Sequence, residues 1–563
     1  MEKPGAIFAA AKGLSVSGKG WAVAHPERGR LLIPRVGGCA FREWAVAHFE
    51  RGRLPIPEVG YGLGPLLCGL CPGSRIYYQK GELDMIKTDV VVIGAGAVGC
   101  AVARELSKYQ VNVVVVEKNE DVGGDASKSN SAIIHTGYDA SPGTLESQLV
   151  VAANPMYDEL VRDLEVPFAR IGAILPAITD EQFEKLPAIK EKAFQNRVYD
   201  VEYKTREELL AMEPNLNPQV KGGLWIPRES IIDPFILVQA YAENAYANGV
   251  RFLLNTRVTG ITTENGKVKS VQTTGEEIET SYVINCAGLY CDEIAEMVGK
   301  ATYKVVARKG QFFILDKNTS CQVNHIVLPI PTKITKGKLM CPTIHGNMLV
   351  GPTAEDQESK TDKSTTAEGL ASITADVRNL IPNVNVRDTI TQYCGLRPNR
   401  VPEGLNFDIW DDLEGYVNLS GVRSTGLTLS VAMGTYVVQQ LLARGAGWAR
   451  KENFIAKRKG IVKFSECTRE EQDALVKENP LYGNVICRCE TVTEAEILDA
   501  IHRPLGARSM DAVKRRVRAG MGRCQGGFCG PKVIEILARE LGCSPEDICK
   551  NNAGSNMVTG STR

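Results

Sequence analysis

The chain has no net charge to speak of: 66 Lys and Arg face 66 Asp and Glu across 563 residues. Without a field of one sign, nothing draws it broadly onto nucleic acid or an anionic bilayer. It also lacks an uninterrupted apolar run near the roughly 18 residues of a membrane span. Gly62 to Leu70 comes nearest and is short, with Gly64 and Pro65 inside it. No secretory signal is visible, since Met1 to Ala11 has neither a sustained apolar core nor a cleavage site. The 16 cysteines lack the density of a small disulfide framework, and their scatter suits reduced thiols. These absences leave a cytoplasmic protein with no span of its own, long enough for about two to four domains.

Residues 1–84 are rich in Gly, Pro and Arg and have neither helical nor alternating periodicity. They contain a duplication: Trp21-Ala22-Val23-Ala24-His25 with Glu27-Arg28-Gly29-Arg30-Leu31 recurs as Trp44-Ala45-Val46-Ala47-His48 with Glu50-Arg51-Gly52-Arg53-Leu54. Two copies are too few for a solenoid. Cys68-Gly69-Leu70-Cys71 could be half of a metal site, but no second pair is near. We read 1–84 as a poorly ordered extension, with Met85 a natural beginning for the folded chain.

From Asp89 the pattern is clear. Val90-Val91-Val92-Ile93 is a buried strand, followed by a Gly-rich turn, a helix over about Val98–Tyr109 and a second strand over Val111–Val116. This is βαβ, the start of a parallel sheet with helices on both faces. Such α/β material fills residues 85–450. Residues 451–480 are charged and read as a helical linker, 481–550 hold a compact cysteine module, and 551–563 form a polar, frayed tail.

Gly94-Ala95-Gly96-Ala97-Val98-Gly99 lies between strand and helix, the context a dinucleotide fingerprint needs. Gly94 permits the tight turn, Gly96 lets backbone approach a pyrophosphate, and Gly99 lets helix and strand pack. Glu117 ends the second strand about 20 residues on, placed to accept from a ribose 2′-hydroxyl, which argues against NADP. The motif alone leaves NAD and FAD open.

Near the other end, Cys487-Arg488-Cys489 and Cys524-Gln525-Gly526-Gly527-Phe528-Cys529 pair four thiols as C-x-C and C-x4-C. Zinc knuckles favour C-x2–4-C spacing, and thiolates suit [2Fe–2S] as well, so zinc, cluster and free thiols stay open. Gly526 and Gly527 would let backbone N–H groups reach sulfur. Lys514, Arg515, Arg516, Arg518 and Arg523 would either offset an anionic cluster or form a solvated helix face.

The stretch Gly123-Gly124-Asp125-Ala126-Ser127-Lys128-Ser129-Asn130-Ser131-Ala132-Ile133-Ile134-His135-Thr136-Gly137 resembles the flavin-wrapping segment of D-amino-acid-oxidase-like FAD enzymes. Tyr282 to Gly288 resembles their second FAD contact. Gly395-Leu396-Arg397-Pro398 and Gly421 to Thr428 resemble the segments that close over the ring. Ala126 stands where Thr is usual and Cys286 where Ala is commoner. Within that superfamily Lys309 to Lys317, His345-Gly346-Asn347 and Gly351-Pro352-Thr353 resemble anaerobic-type glycerol-3-phosphate dehydrogenase catalytic subunits. L-2-hydroxyglutarate oxidases share much of the pattern. Residues 484–537 resemble the bacterioferritin-associated-ferredoxin-like [2Fe–2S] domain, with Cys487, Cys489, Cys524 and Cys529 at the ligand positions.

The resemblance implies a Rossmann-like FAD domain interleaved with a mixed-sheet substrate domain, plus a small helical C-terminal [2Fe–2S] module. It implies FAD contacts at Gly94, Gly96, Gly99, Glu117, Lys118, Ser127, Asn130, Ser131, Ala287, Gly288, Gly426, Leu427 and Thr428. Oxidising a secondary alcohol also needs a base and an anion clamp. His135 is the first candidate base and His345 the second. Arg397 is the clamp, with Lys309 and Arg423 as weaker ones. The expected activity is oxidation of sn-glycerol 3-phosphate, with electrons leaving through the cluster to an acceptor subunit that could also hold the protein at a membrane. L-2-hydroxyglutarate or an amino acid is the rival substrate, and a non-turnover flavin–cluster scaffold is the rival of another kind.

Overall fold

The structure is a computed structural model that describes residues 85–331 and 337–560, and only three short strands before them. Those strands, Val23–His25, Arg30–Ile33 and Ala45–His48, form an antiparallel sheet of their own with Arg30–Ile33 in the middle. Each copy of the duplicated run thus supplies one outer strand. The remainder of 1–84, with Cys68 and Cys71, lies outside the described residues.

The cofactor sheet is built on Val90–Ile93, whose four β-branched side chains are all buried. Stiff, branched side chains suit a strand covered on both faces. Val113–Val116 and then Arg251–Leu253 lie parallel on one side of it, Tyr282–Asn285 and then Leu413–Ser420 on the other. Val90 and Val92 pack with Ala101, Leu237 and Met433 from the helices Ala97–Leu106, Pro234–Ala247 and Gly426–Ala443. Val91 and Ile93 face the opposite core with Val268 and Val271. By length and composition the helix Gly426–Ala443 is apolar enough to cross a membrane, and 67% of it is buried here.

A second, nine-stranded sheet carries the substrate side. It is mixed: Ile326–Val327 runs parallel to Ala173–Ala177, while its other pairings are antiparallel. Its spine is the ribbon of Lys304–Leu315 against Thr389–Val401, which sets Arg308 opposite Arg397. Side chains alternate along such a strand, so Arg308 and Gly310 share a face that Lys309 does not.

Residues 451–463 are an extended strap and not the helical linker the charge pattern suggests; the α-helix within 451–480 is Arg469–Glu478, opened by a Thr468/Glu471 capping box, after a short 3-10 turn at Phe464–Glu466. The strap's backbone finds partners on the body in place of its own helical carbonyls. Asn248 Oδ1 accepts from Ile455 N at 2.8 Å, and Arg458 is buried against Glu243 at 2.5 Å. Beyond it, Glu494–His502, Met510–Val517 and Gly530–Leu541 enclose Ile497, Val513 and Leu537 as a small helical module. The segment after 550 is not frayed as expected. Lys550 N donates to Ser555 O at 2.7 Å, Cys549 pairs with Asn556, and Val558 packs on the module core.

Candidate active site

The turn after Val90–Ile93 needs glycine twice. Gly94 has φ +97, and a Cβ on Gly99 would lie 1.9 Å from the Gly94 carbonyl oxygen. Glu117 closes the site from the next strand, accepting from Ala95 N at 2.8 Å and from Asn119 N and Nδ2 at 2.9 and 2.7 Å. Burial raises its carboxyl above the usual range against the pull of those N–H groups. Ser127 Oγ accepts from Ala97 N at 2.9 Å, at the first turn of the helix Ala97–Leu106. Lys118 is held by Asp125 at 3.4 Å and sits over the Tyr290 ring.

From there opens a cavity of about 450 Å³ lined by Gly96, Ser127, Asn130, Ser131, Gly288, Gly426 and Leu427, with His135, Arg308, Arg397 and Arg423 also on its wall. Two helix N-termini, of Ala97–Leu106 and Gly426–Ala443, meet it with no acidic residue in their first turns, an arrangement that favours a bound anion. Thr428 stays behind the wall: its Oγ1 accepts from His135 N at 3.0 Å and fixes that residue to the helix. Ala287 N is taken by Asn285 Oδ1 at 3.1 Å.

His135 Nδ1 lies 2.9 Å from Glu229 Oε2, and the other Glu229 oxygen accepts from Thr136 N and Oγ1 at 2.7 and 3.0 Å. Glu229 is fully buried, so its carboxylate both orients the imidazole and leaves Nε2 as the nitrogen open to a ligand. Arg397 donates to Thr353 O at 2.7 Å, Arg308 pairs with Asp356 at 2.7 Å, and Arg423 pairs with Glu403. The buried Nε of both Arg397 and Arg423 has no partner among the described residues. Burial, with Arg308 and Arg423 alongside, brings the Arg397 guanidinium down to about 10. A cavity wall that holds three guanidinium groups is built for an anion.

The four cysteines form two pairs. Cys489 and Cys524 are exposed with sulfurs 3.9 Å apart, while Cys487 and Cys529 are buried. Cys529 beside it draws Cys487 down, and Cys487 in turn pushes Cys529 up. The N–H groups of Phe528 and Gly526 lower Cys524. Gly526 therefore acts on sulfur as expected, whereas Gly527 N turns to the Cys524 carbonyl at 2.9 Å.

A family model described as FAD dependent oxidoreductase matches residues 89–440. The chain belongs to this family. A second model, the BFD-like [2Fe-2S] binding domain, matches residues 485–539. The FAD oxidoreductase is 44% identical over 475 residues to a protein named glycerol 3-phosphate dehydrogenase from Caloramator mitchellensis, covering 84% of this chain and 99% of that one. It is 25% identical over 498 residues to one component of the anaerobic glycerol-3-phosphate dehydrogenase of Escherichia coli K12, covering 81% and 89%. Among solved structures, an FAD-bound L-alpha-glycerophosphate oxidase from Mycoplasma pneumoniae superposes with a TM-score of 0.63 at 28% identity, covering 66% of this chain and 99% of that one.

The residues present fit both cofactors of this FAD oxidoreductase. The glycine turn, Glu117 and the two bare helix ends suit a dinucleotide, and the paired, backbone-supported thiols suit an iron–sulfur cluster. Two of the catalytic candidates fall outside the cavity. Strand alternation turns Lys309 away, and its ammonium is held by Asp362 at 2.8 Å. His345 instead lines a second cleft, of about 780 Å³, shared with Cys489 and Glu490 of the cysteine module. There its Nε2 lies 2.8 Å from Asp233 Oδ2, and burial lowers its pKa. Arg515 and Arg516 are likewise engaged away from the cluster, with Asp121. Sequence reasoning missed Arg308 and Glu229. The alternation that excludes Lys309 would have found Arg308, but nothing local marks Glu229, 94 residues from its histidine. Glu229 and Asp233 flank the three-residue strand Ser230–Ile232, so one short strand serves both histidines.

Proposed function

We propose that this enzyme oxidises sn-glycerol 3-phosphate to dihydroxyacetone phosphate and passes the two electrons on singly through its cluster. The observation that carries the reading is one cavity that combines a carboxylate-held histidine with three arginines. FAD, when bound, supplies the acceptor for the hydride leaving C2. His135 Nε2 takes the proton of the C2 hydroxyl, and Glu229 stabilises the imidazolium that results. Arg397, flanked by Arg308 and Arg423, holds the phosphate and so sets the carbon chain across the cavity. The names of the relatives favour glycerol 3-phosphate over a hydroxy or amino acid. Cys489 and Cys524, exposed at the module surface, give electrons a way out to a separate acceptor protein. Buried free thiols such as Cys100, Cys286, Cys291 and Cys341 support a reducing, cytoplasmic setting.

The test is anaerobic mixing of the oxidised holoenzyme with candidate substrates while its flavin absorbance is followed. Bleaching by glycerol 3-phosphate, with dihydroxyacetone phosphate formed in equal amount, is expected. Bleaching only by L-2-hydroxyglutarate or an amino acid would replace the substrate, and a flavin that no candidate bleaches would leave an electron-transfer scaffold.

A further inference from the structure

The loop that follows Glu117 is gripped from the far end of the chain. Glu117 Oε1 is held by Asn119, through both its backbone N at 2.9 Å and its side-chain Nδ2 at 2.7 Å. Asn119 Oδ1 in turn accepts from Asn552 Nδ2 at 3.1 Å, and Asn552 Oδ1 accepts from Glu120 N at 3.0 Å. A single amide beyond the cysteine module therefore bridges two consecutive residues of the ribose-site loop. Ser509, which caps the helix Met510–Val517, donates to Glu120 Oε1 at 2.9 Å. The same helix sends Arg515 and Arg516 to Asp121, each at 2.7 Å, with Arg516 also reaching the second oxygen at 2.9 Å. Asp121, Arg515 and Arg516 are all buried.

These contacts have nothing to do with holding a cluster, since they point away from the thiols and into the other domain. Elsewhere the module meets the body through Arg523 with Asp316, Lys317 with Glu490 and Arg503 with Glu243, but the contacts described above form a separate group. All of them land on Asn119, Glu120 and Asp121, between the ribose acid Glu117 and the Gly123 turn, whose N–H returns to Ala95 O at 2.8 Å. Asn119 is the joint, because it touches Glu117 on one side and Asn552 on the other. Oriented this way, Asn119 leaves the Glu117 carboxylate fixed before any ligand arrives, and preorganisation of that kind strengthens binding.

We propose that the C-terminal module doubles as a clamp on the adenosine-ribose end of the FAD site, with Asn119 and Asn552 as positioning residues that couple module docking to cofactor affinity. Coupling of this sort is reciprocal: a docked module tightens FAD, and FAD tightens the docked module.

The test uses full-length protein freed of flavin under anaerobic conditions and titrated with FAD by fluorescence quenching. Asn552→Ala is a surface change, and it should weaken FAD by about 5–10-fold, the lower range of measured couplings. ADP, which carries only the adenosine half, should lose affinity as a competitor by the same factor. Arg516→Met should weaken both ligands further, and if that variant fails to fold, Asn552→Ala and Ser509→Ala decide the matter. Conversely, adding FAD to the unsubstituted protein should slow amide hydrogen exchange across residues 509–518. Unchanged FAD affinity in folded Asn552→Ala, or a loss for FAD that ADP does not share, overturns the clamp. So does exchange at 509–518 that ignores FAD. None of these readouts depends on which substrate is oxidised.

Discussion

His135 cannot choose its own tautomer; Glu229 does that by holding Nδ1. His135→Ala should therefore slow substrate reduction of the flavin by about 10²–10⁴-fold in stopped-flow absorbance while FAD stays bound. Glu229→Gln keeps the shape but not the charge, so it should slow the same step less and move its pH profile. Arg397 adds a second pH signature. Its charged form binds the anion, and its pKa is brought down to about 10 by burial first and by Arg308 and Arg423 next. KM for the anionic substrate should rise as pH passes about 10, and Arg308→Gln, by removing one like charge, should push that limb upward. Some of this was legible in residues alone: Arg397 stands between Leu396 and Pro398 in a recognisable turn. Lys309 misled because its type was right and its parity on the strand was wrong.

At the scale of elements, the loop from Cys524 to Cys529 delivers two thiols and their supporting N–H groups without touching the substrate cavity. Cys524→Ser should thus abolish or perturb the iron–sulfur absorbance and EPR signal yet leave flavin reduction by substrate at its normal rate. An unaltered cluster spectrum would remove Cys524 from the ligand set. Here the sequence was most readable where elements are self-determined: the buried Val90–Ile93 strand, the glycine turn and the first helix follow from local pattern. The strap 451–463 was not, because its charges suggest a solvated helix while its partners, Glu243 and Asn248, are supplied by a distant helix and its end. The apolar helix Gly426–Ala443 was passed over because Thr428, Ser430 and Thr435 break its run.

At the scale of the molecule, the two domains are joined by charge removed from water. Asp121 is fully buried, and Arg516 and Arg515 still hold it down to about 2 against that burial. Because its folded pKa is depressed, its stabilising effect is complete above pH ~4 and is lost as pH falls toward ~2. Asp121→Leu leaves two buried guanidinium groups without their shared partner and should cost about 3–5 kcal/mol. Calorimetry would register it as a lowered or split transition, with the module released first. No composition or periodicity argument announces this joint, since the basic run Lys514 to Arg518 looks like a cluster's counter-charge until Asp121 is seen beneath it.

The strand Ser230–Ile232 gives the molecule one place where chain length cannot vary. Glu229 and Asp233 sit at its two ends, each holding one histidine. Loops elsewhere can lengthen and shorten, but one residue added or deleted between these acids would reverse the facing of whichever end shifted. His135 in the cavity and His345 in the second cleft would not both keep their partner. Relatives that have drifted freely in size should therefore agree residue for residue across these five positions, and designed insertions should avoid them first.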